Sequence, residues 1–349
     1  MAAVSYSKIT LRLFSFFLIL LLVSCTKTNG ELLLIEKAPE DGFNFPYYLF
    51  IPDDISDSNQ KFLVVETNNS GFASDNFREH LEKAERTASI DFYLGNYVAV
   101  ELGYPLLVPI FPRSKSTGNI YTHSLDRDVV LQKGTDLERI DLQVLEMVED
   151  ARERLKEEGI MTESEILMTG FSASGSFANR FSLLHPDKVK AVAAGGLNGI
   201  LMLPFSEEKE IELNYPAGTN DFEQLFGKPF DSVGFRQTPQ FLFMGALDDN
   251  DALPYDDAYD PQEREAISAI LGKQMLPTRW NNSKEYYSRE GVEAEVETFQ
   301  EVGHEQPQAV KDEVVKFFRR VINKKNQERG TEKDLTISLN PQLKKLQEK

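Results

Sequence analysis

Glu165-Ile-Leu-Met-Thr-Gly170-Phe-Ser172-Ala-Ser174-Gly175 is a short apolar run that stops at a Gly-x-Ser and passes directly into a helical pattern. An apolar strand that turns at a serine into a helix, with no intervening loop, is the layout of a nucleophile elbow. The turn is so tight that the positions two before and two after the serine must be small. They are Gly170 and Ser174. Such a turn holds the serine at its tip in a strained backbone conformation, with the hydroxyl pointing into a cleft. The helix that follows is read from Phe177, Phe181 and Leu184, which share one face at helical spacing. A serine that merely N-caps a buried helix leaves a similar trace, so the reading depends on the rest of the chain.

Around this stretch strands and helices alternate. Lys61–Glu66, Leu106–Phe111, Val189–Ala194, Gln240–Met244 and Glu293–Phe299 read as strands, and Tyr97–Leu102 as a strand or a helix end. Phe77–Ile90 and Ala309–Ile322 read as helices. Leu137, Ile140, Val144, Leu145, Val148, Ala151 and Leu155 form another helical face, which Gly159 stops. Repeated alternation predicts an α/β fold, a mostly parallel sheet with helices on both faces.

A serine hydroxyl needs a base within hydrogen-bond reach and a carboxylate to orient that base. The chain has four histidines. His80 lies in the charged pattern Glu79-His80-Leu-Glu82 and reads as surface. His185, before Pro186, reads as a packing or capping residue. His123, in Tyr121-Thr-His-Ser, is less easily set aside. His304, in Val302-Gly-His-Glu, follows the last strand, where sites of this sheet type form at the carboxyl edge. For the acid, Met244-Gly-Ala-Leu-Asp248-Asp-Asn-Asp251 offers Asp248 just past a strand, with Asp251 as the alternative. This acidic turn lacks the ligand spacing of a calcium loop.

Ser172, Asp248 and His304 stand in the chain order of the α/β-hydrolases. From about Tyr47 to Ile322 the chain resembles that superfamily, and within it the esterase and polyhydroxyalkanoate-depolymerase-like branch. The resemblance is carried by Gly170-Phe-Ser-Ala-Ser-Gly175, Leu184-His-Pro-Asp-Lys-Val189, Gly245-Ala-Leu-Asp248 and Gly303-His304. It implies Ser172 as nucleophile, His304 as base, Asp248 as orienting acid, and a small-molecule or polymeric ester as substrate, with no cofactor and no metal. Two features depart from the pattern: Ser174 stands where a second glycine is usual, and the oxyanion loop lacks the His-Gly sequence common in the family. The same triad also serves peptidases and amidases, and a cleft on this fold can serve binding alone.

Acyl transfer needs N–H donors aimed at the developing oxyanion. One expected donor is the backbone of Ala173. Others come from Glu66-Thr-Asn68-Asn69-Ser-Gly71 after an early strand, through backbone or the Asn68 or Asn69 side chain. The stretch at about 197–238 is too long for a simple connection, and in the family such an insertion forms a cap over the site.

The N-terminus carries a separate signal. Lys8 and Arg12 precede the apolar run Leu13–Val23 and then Ser24-Cys25. The run has the length of a signal-peptide core and is short for a membrane span. Leu22-Val-Ser-Cys25 resembles the bacterial lipobox. The resemblance implies cleavage after residue 24 and lipid attachment at Cys25, the one cysteine of the chain, hence a lipid-anchored protein exported to the cell envelope. The expected organisation is a leader at 1–24, a polar tether at 25–31, one α/β-hydrolase domain at 32–323 and a charged tail at 324–349. The formal net charge of −18 argues against nucleic acid as a partner. The sequence leaves the oligomeric state open.

Overall fold

The computed structural model describes residues 29–58, 61–68 and 71–324. The leader, Cys25, Asn69 and nearly all of the tail lie outside them.

The strands are β1 (Gly30–Ile35), β2 (Tyr47–Pro52), β3 (Leu63–Val65), β4 (Leu106–Pro109), β5 (Ile166–Phe171), β6 (Val189–Gly195), the short pair β7 (Glu207–Glu208) and β8 (Ile211–Glu212), β9 (Gln240–Gly245) and β10 (Ala294–Phe299). The helices are α1 (Phe77–Ser89), α2 (Leu94–Leu102), α3 (Arg127–Val130), α4 (Ile140–Glu157), α5 (Ala173–Leu184), α6 (Phe222–Phe226), α7 (Ser232–Gln237), α8 (Pro261–Ile270), α9 (Trp280–Arg289) and α10 (308–324). The main sheet runs in the order β1-β2-β4-β3-β5-β6-β9-β10. β2 runs antiparallel to both β1 and β4; the other pairings of this sheet are parallel.

The inner strands of this sheet are buried on both faces, and alternation along each one feeds two separate cores. Leu63, Val65, Ile166, Met168, Val192, Leu242 and Met244 pack on the side of α4 and α5. Val64, Leu106, Leu167, Ala191, Ala193, Phe241 and Phe243 pack on the side of α1, α2 and α10. Tyr97–Leu102, ambiguous by pattern, is the second half of α2. The β1–β2 hairpin, α8 and α9 left no clear period in the sequence.

The topology also places a crevice. After β3 the chain moves outward to β4, then returns past β3 to β5 and continues the other way to β6. Adjacent strands whose connections leave in opposite directions open a gap at their carboxyl ends, where α/β sheets bind ligands. Residues 66–68 leave β3 there, and Ser172 leaves β5.

Candidate active site

Ser172 alone separates β5 from α5. Its backbone sits at φ 62° and ψ −124°, a region that costs a non-glycine residue free energy of order 1–3 kcal/mol unless its surroundings enforce it. The enforcement is visible. Ser172 N–H donates to Gly195 O at 2.8 Å, and Ser172 O accepts from Ser176 N–H at 3.0 Å. A Cβ on Gly170 would lie 2.3 Å from Ser174 O, so this position has room for glycine only.

Ser174, the departure from the usual pattern, is fully buried and has a local purpose. Its Oγ accepts from Phe171 N–H at 2.9 Å and donates to Phe171 O at 3.0 Å, bracing the turn from inside. The glycine needed for close packing is the next one. A Cβ on Gly175 would meet Gly195 O at 2.4 Å, where α5 crosses β6.

His304 lies on the loop after β10 and Asp248 on the loop after β9. His304 Nδ1 donates to Asp248 Oδ2 at 3.0 Å. Asp248 is 5% exposed, and its Oδ1 accepts from Asn250 N–H at 2.9 Å, so both oxygens are engaged. This bond assigns the proton to Nδ1 and leaves Nε2 as the basic nitrogen. Asn250 Nδ2 donates to that nitrogen at 3.2 Å. The imidazole packs on Phe171 with ring centroids 4.8 Å apart. It also comes close to the elbow: a single point, the Cβ position of Gly196, is 3.0 Å from His304 Cε1 and 3.1 Å from Ser172 N. Serine, imidazole and carboxylate are thus gathered at one end of the sheet.

Asp251 faces elsewhere, gripping the fully buried Arg279 at 2.7 Å. The Asn68 amide donates to Phe111 O at 3.0 Å and its Oδ1 accepts from Phe111 N–H at 3.2 Å, so the side chain is held in the interior. Ala173 follows the serine directly and lines the same cleft.

Of the other histidines, His80 is fully buried, not on the surface, with Nε2 2.9 Å from Ser74 O. The charged pattern around it misled because its neighbours, not His80 itself, face solvent. His123 is also fully buried, with Nε2 2.8 Å from Phe111 O and 3.1 Å from the Asn68 amide. His185 meets Asp141 at 2.9 Å and packs on Phe181. Arg127 pairs with neither sequence neighbour but with Asp221 at 2.5 Å.

Glu66, at the end of β3, was not visible as a site residue. It is fully buried, and its Oε2 accepts from Gly95 N–H at 2.6 Å. Burial pushes its carboxyl up to about 8, against the opposing pull of the Gly95 N–H and the Ser174 hydroxyl.

The cleft beside Ser172 is lined by Tyr121 and Ser124, by Asn250, Ala252, Ala258 and Tyr259, and by Ser176 and Arg180 from α5. From the 197–238 insertion, among the described residues, only Asn198 reaches it. The 246–260 segment contributes Asn250, Ala252, Ala258 and Tyr259 to the lining, where the sequence shows only an acidic turn. Larger hollows against α10 and between Glu40 and α4 hold none of these groups.

No protein-family model and no curated protein matches the chain. Solved structures do. The poly(aspartic acid) hydrolase-1 from Sphingomonas sp. KT-1 aligns with a TM-score of 0.53 at 18% identity, over 82% of this chain and 97% of that one. LpqC, a poly(3-hydroxybutyrate) depolymerase from Bordetella parapertussis, aligns with a TM-score of 0.51 at 15% identity, over 83% of this chain and 89% of that one. The mostly parallel eight-stranded sheet with its flanking helices matches these structures, and the chain has the α/β-hydrolase fold.

Proposed function

We propose that the protein is a serine hydrolase that cleaves carboxylic esters through an acyl-enzyme. The observation that carries this reading is the 3.0 Å His304–Asp248 bond beside a serine held at positive φ on the strand–helix turn. A structural serine has no need of strain, and an exposed loop histidine has no need of a buried carboxylate.

In this reading Ser172 Oγ attacks the ester carbonyl as its proton passes to His304 Nε2. Asp248 keeps the proton on Nδ1 and stabilises the imidazolium. The carbonyl oxygen becomes an oxyanion facing the Ala173 N–H, while a second donor comes from the 66–71 loop. Collapse expels the alcohol, which takes the proton from Nε2. A water then gives its proton to Nε2, attacks the acyl carbonyl and releases the acid with Ser172 restored. Asn250 must release Nε2 during each cycle, since the serine proton goes to the same lone pair.

The place of action rests on sequence alone: export, with a lipid on Cys25 anchoring the domain to the bacterial cell envelope. The 25–31 tether would let the cleft reach small or polymeric esters.

A fluorophosphonate probe tests the chemistry. Wild type should label, while Ser172→Ala and His304→Ala should not, with all three showing the same circular dichroism. A folded wild type that stays unlabelled and turns over no ester sinks the proposal.

A further inference from the structure

Three arginines of the domain are buried almost completely. Arg279 is fully buried and pairs with Asp251 at 2.7 Å. Arg113 is 3% exposed and pairs with Asp257 at 2.7 Å. Arg180 is 5% exposed, yet among the described residues no carboxylate lies within ion-pair distance of it. Its guanidinium donates to two neutral oxygens, Ser124 O at 2.8 Å and the Tyr259 hydroxyl at 3.1 Å.

The carboxyls that act on Arg180 from farther away are Asp126 and Glu263. Asp126 is occupied by the N–H groups of Val129 and Tyr121, and Glu263 by that of Asp260. Burial pushes both carboxyls up to about 7, and each acts on the guanidinium only from beyond ion-pair distance. An arginine stays protonated, and a buried charge without a counter-ion is costly.

The location of this charge gives it a use. Arg180 lines the same cleft as Ser172. Ser172, Ser176 and Arg180 are four residues apart, so they follow one face of α5. Arg180 Cα lies about 12 Å along the helix axis from the elbow. Helical side chains lean back toward the N-terminus, here toward Ser172. That leaves a gap of a few atoms between an anion on the guanidinium and a carbonyl on Ser172. The aliphatic lining is confined to Ala173, Ala252 and Ala258, which offers little grip for a long alkyl chain.

We propose that Arg180 is the anion-binding end of the substrate cleft, and that the preferred substrates are esters bearing a carboxylate a few atoms from the scissile carbonyl. The proposal rests on the serine-hydrolase reading above. Ser124 O and the Tyr259 hydroxyl hold the planar fork in place, and its remaining N–H groups meet the substrate carboxylate.

The test compares para-nitrophenyl hydrogen adipate with para-nitrophenyl hexanoate, which puts a methyl group where the adipate has a carboxylate. Wild type should show a kcat/KM higher for the adipate by roughly tenfold or more, the scale of one charge-assisted contact. Arg180→Gln should bring the ratio of the two values to about one, and Arg180→Lys should retain part of it. Equal values in wild type, or a ratio that survives Arg180→Gln, overturn the proposal and leave the hydrolase reading standing.

If Arg180→Gln does not fold, inhibition of wild-type para-nitrophenyl acetate turnover decides. Adipate should inhibit competitively and adipamide should not; equal or absent inhibition overturns the anion site. If wild type neither labels nor turns over any ester, the hydrolase reading fails, and calorimetric titration of wild type with adipate reads the anion site alone. Heat of binding supports that site, and its absence overturns it.

Discussion

Gly245 and Val302 approach so closely that a Cβ on Gly245 would lie 2.2 Å from the Val302 carbonyl oxygen. This contact sets the loop after β9 against the loop after β10, joined by a bond from Leu247 N–H to Val302 O at 2.9 Å. Asp248 follows Leu247 directly, and His304 stands two residues past Val302.

Gly245→Ala should therefore pry the pair apart. The expected result is a fall in kcat of about 10²-fold, the usual scale for a displacement near 1 Å. Labelling of Ser172 should slow in parallel. An alanine variant with wild-type kinetics would show that the two loops are not held by this contact.

The two acids should separate cleanly. Asp248→Asn should lower ester turnover by roughly 10³–10⁴-fold with little change in Tm, because it removes the charge that orients the imidazole. Asp251→Ala should act on stability instead, on the order of 3 kcal/mol, because it leaves Arg279 buried without its partner. Kinetics and thermal melts on both variants read the difference, and the opposite pattern would make Asp251 the triad acid.

Ser174→Ala removes the acceptor for the Phe171 N–H and the donor to its carbonyl, both buried. Leaving these groups unsatisfied should cost about 1–3 kcal/mol. Chemical denaturation measures it. A neutral result would mean that Ser174 merely fills space.

Glu66 supplies a pH dependence whose sign can be worked out. Its folded pKa is raised to about 8, so the unfolded chain loses the proton first as pH rises. Its contribution to stability is full below the ordinary carboxyl range, declines through the window up to about 8, and is flat above it. Glu66→Gln should remove that decline. The variant should gain in Tm on wild type between about pH 5 and about pH 8, and parallel Tm curves would refute the assignment.

Several parts of this protein are written locally and were legible in the chain. The elbow is one, because a turn with Ser172 at positive φ admits only small neighbours. The parallel strands are another, because a strand buried on both faces must be apolar throughout. The strand pair β1–β2 was not legible, since β1 lies at the sheet edge with mixed burial and no clear period. Nor were α8 and α9.

By itself the sequence determined the α/β alternation, the elbow and the order of Ser172, Asp248 and His304, since these follow from backbone sterics and burial over a few residues. Tertiary structure alone decided which acid meets His304, where the Asn68 amide points, that His80 is buried, that the 246–260 segment lines the cleft, and that among the described residues no carboxylate pairs with Arg180. The physical reason is range. Hydrogen bonds and ion pairs act within a few ångströms, and the groups they join here stand far apart in the chain, His304 and Asp248 by 56 residues. Which of two neighbouring carboxylates makes the bond depends on how two loops from different strands meet. Nothing in the spacing of the residues records that meeting.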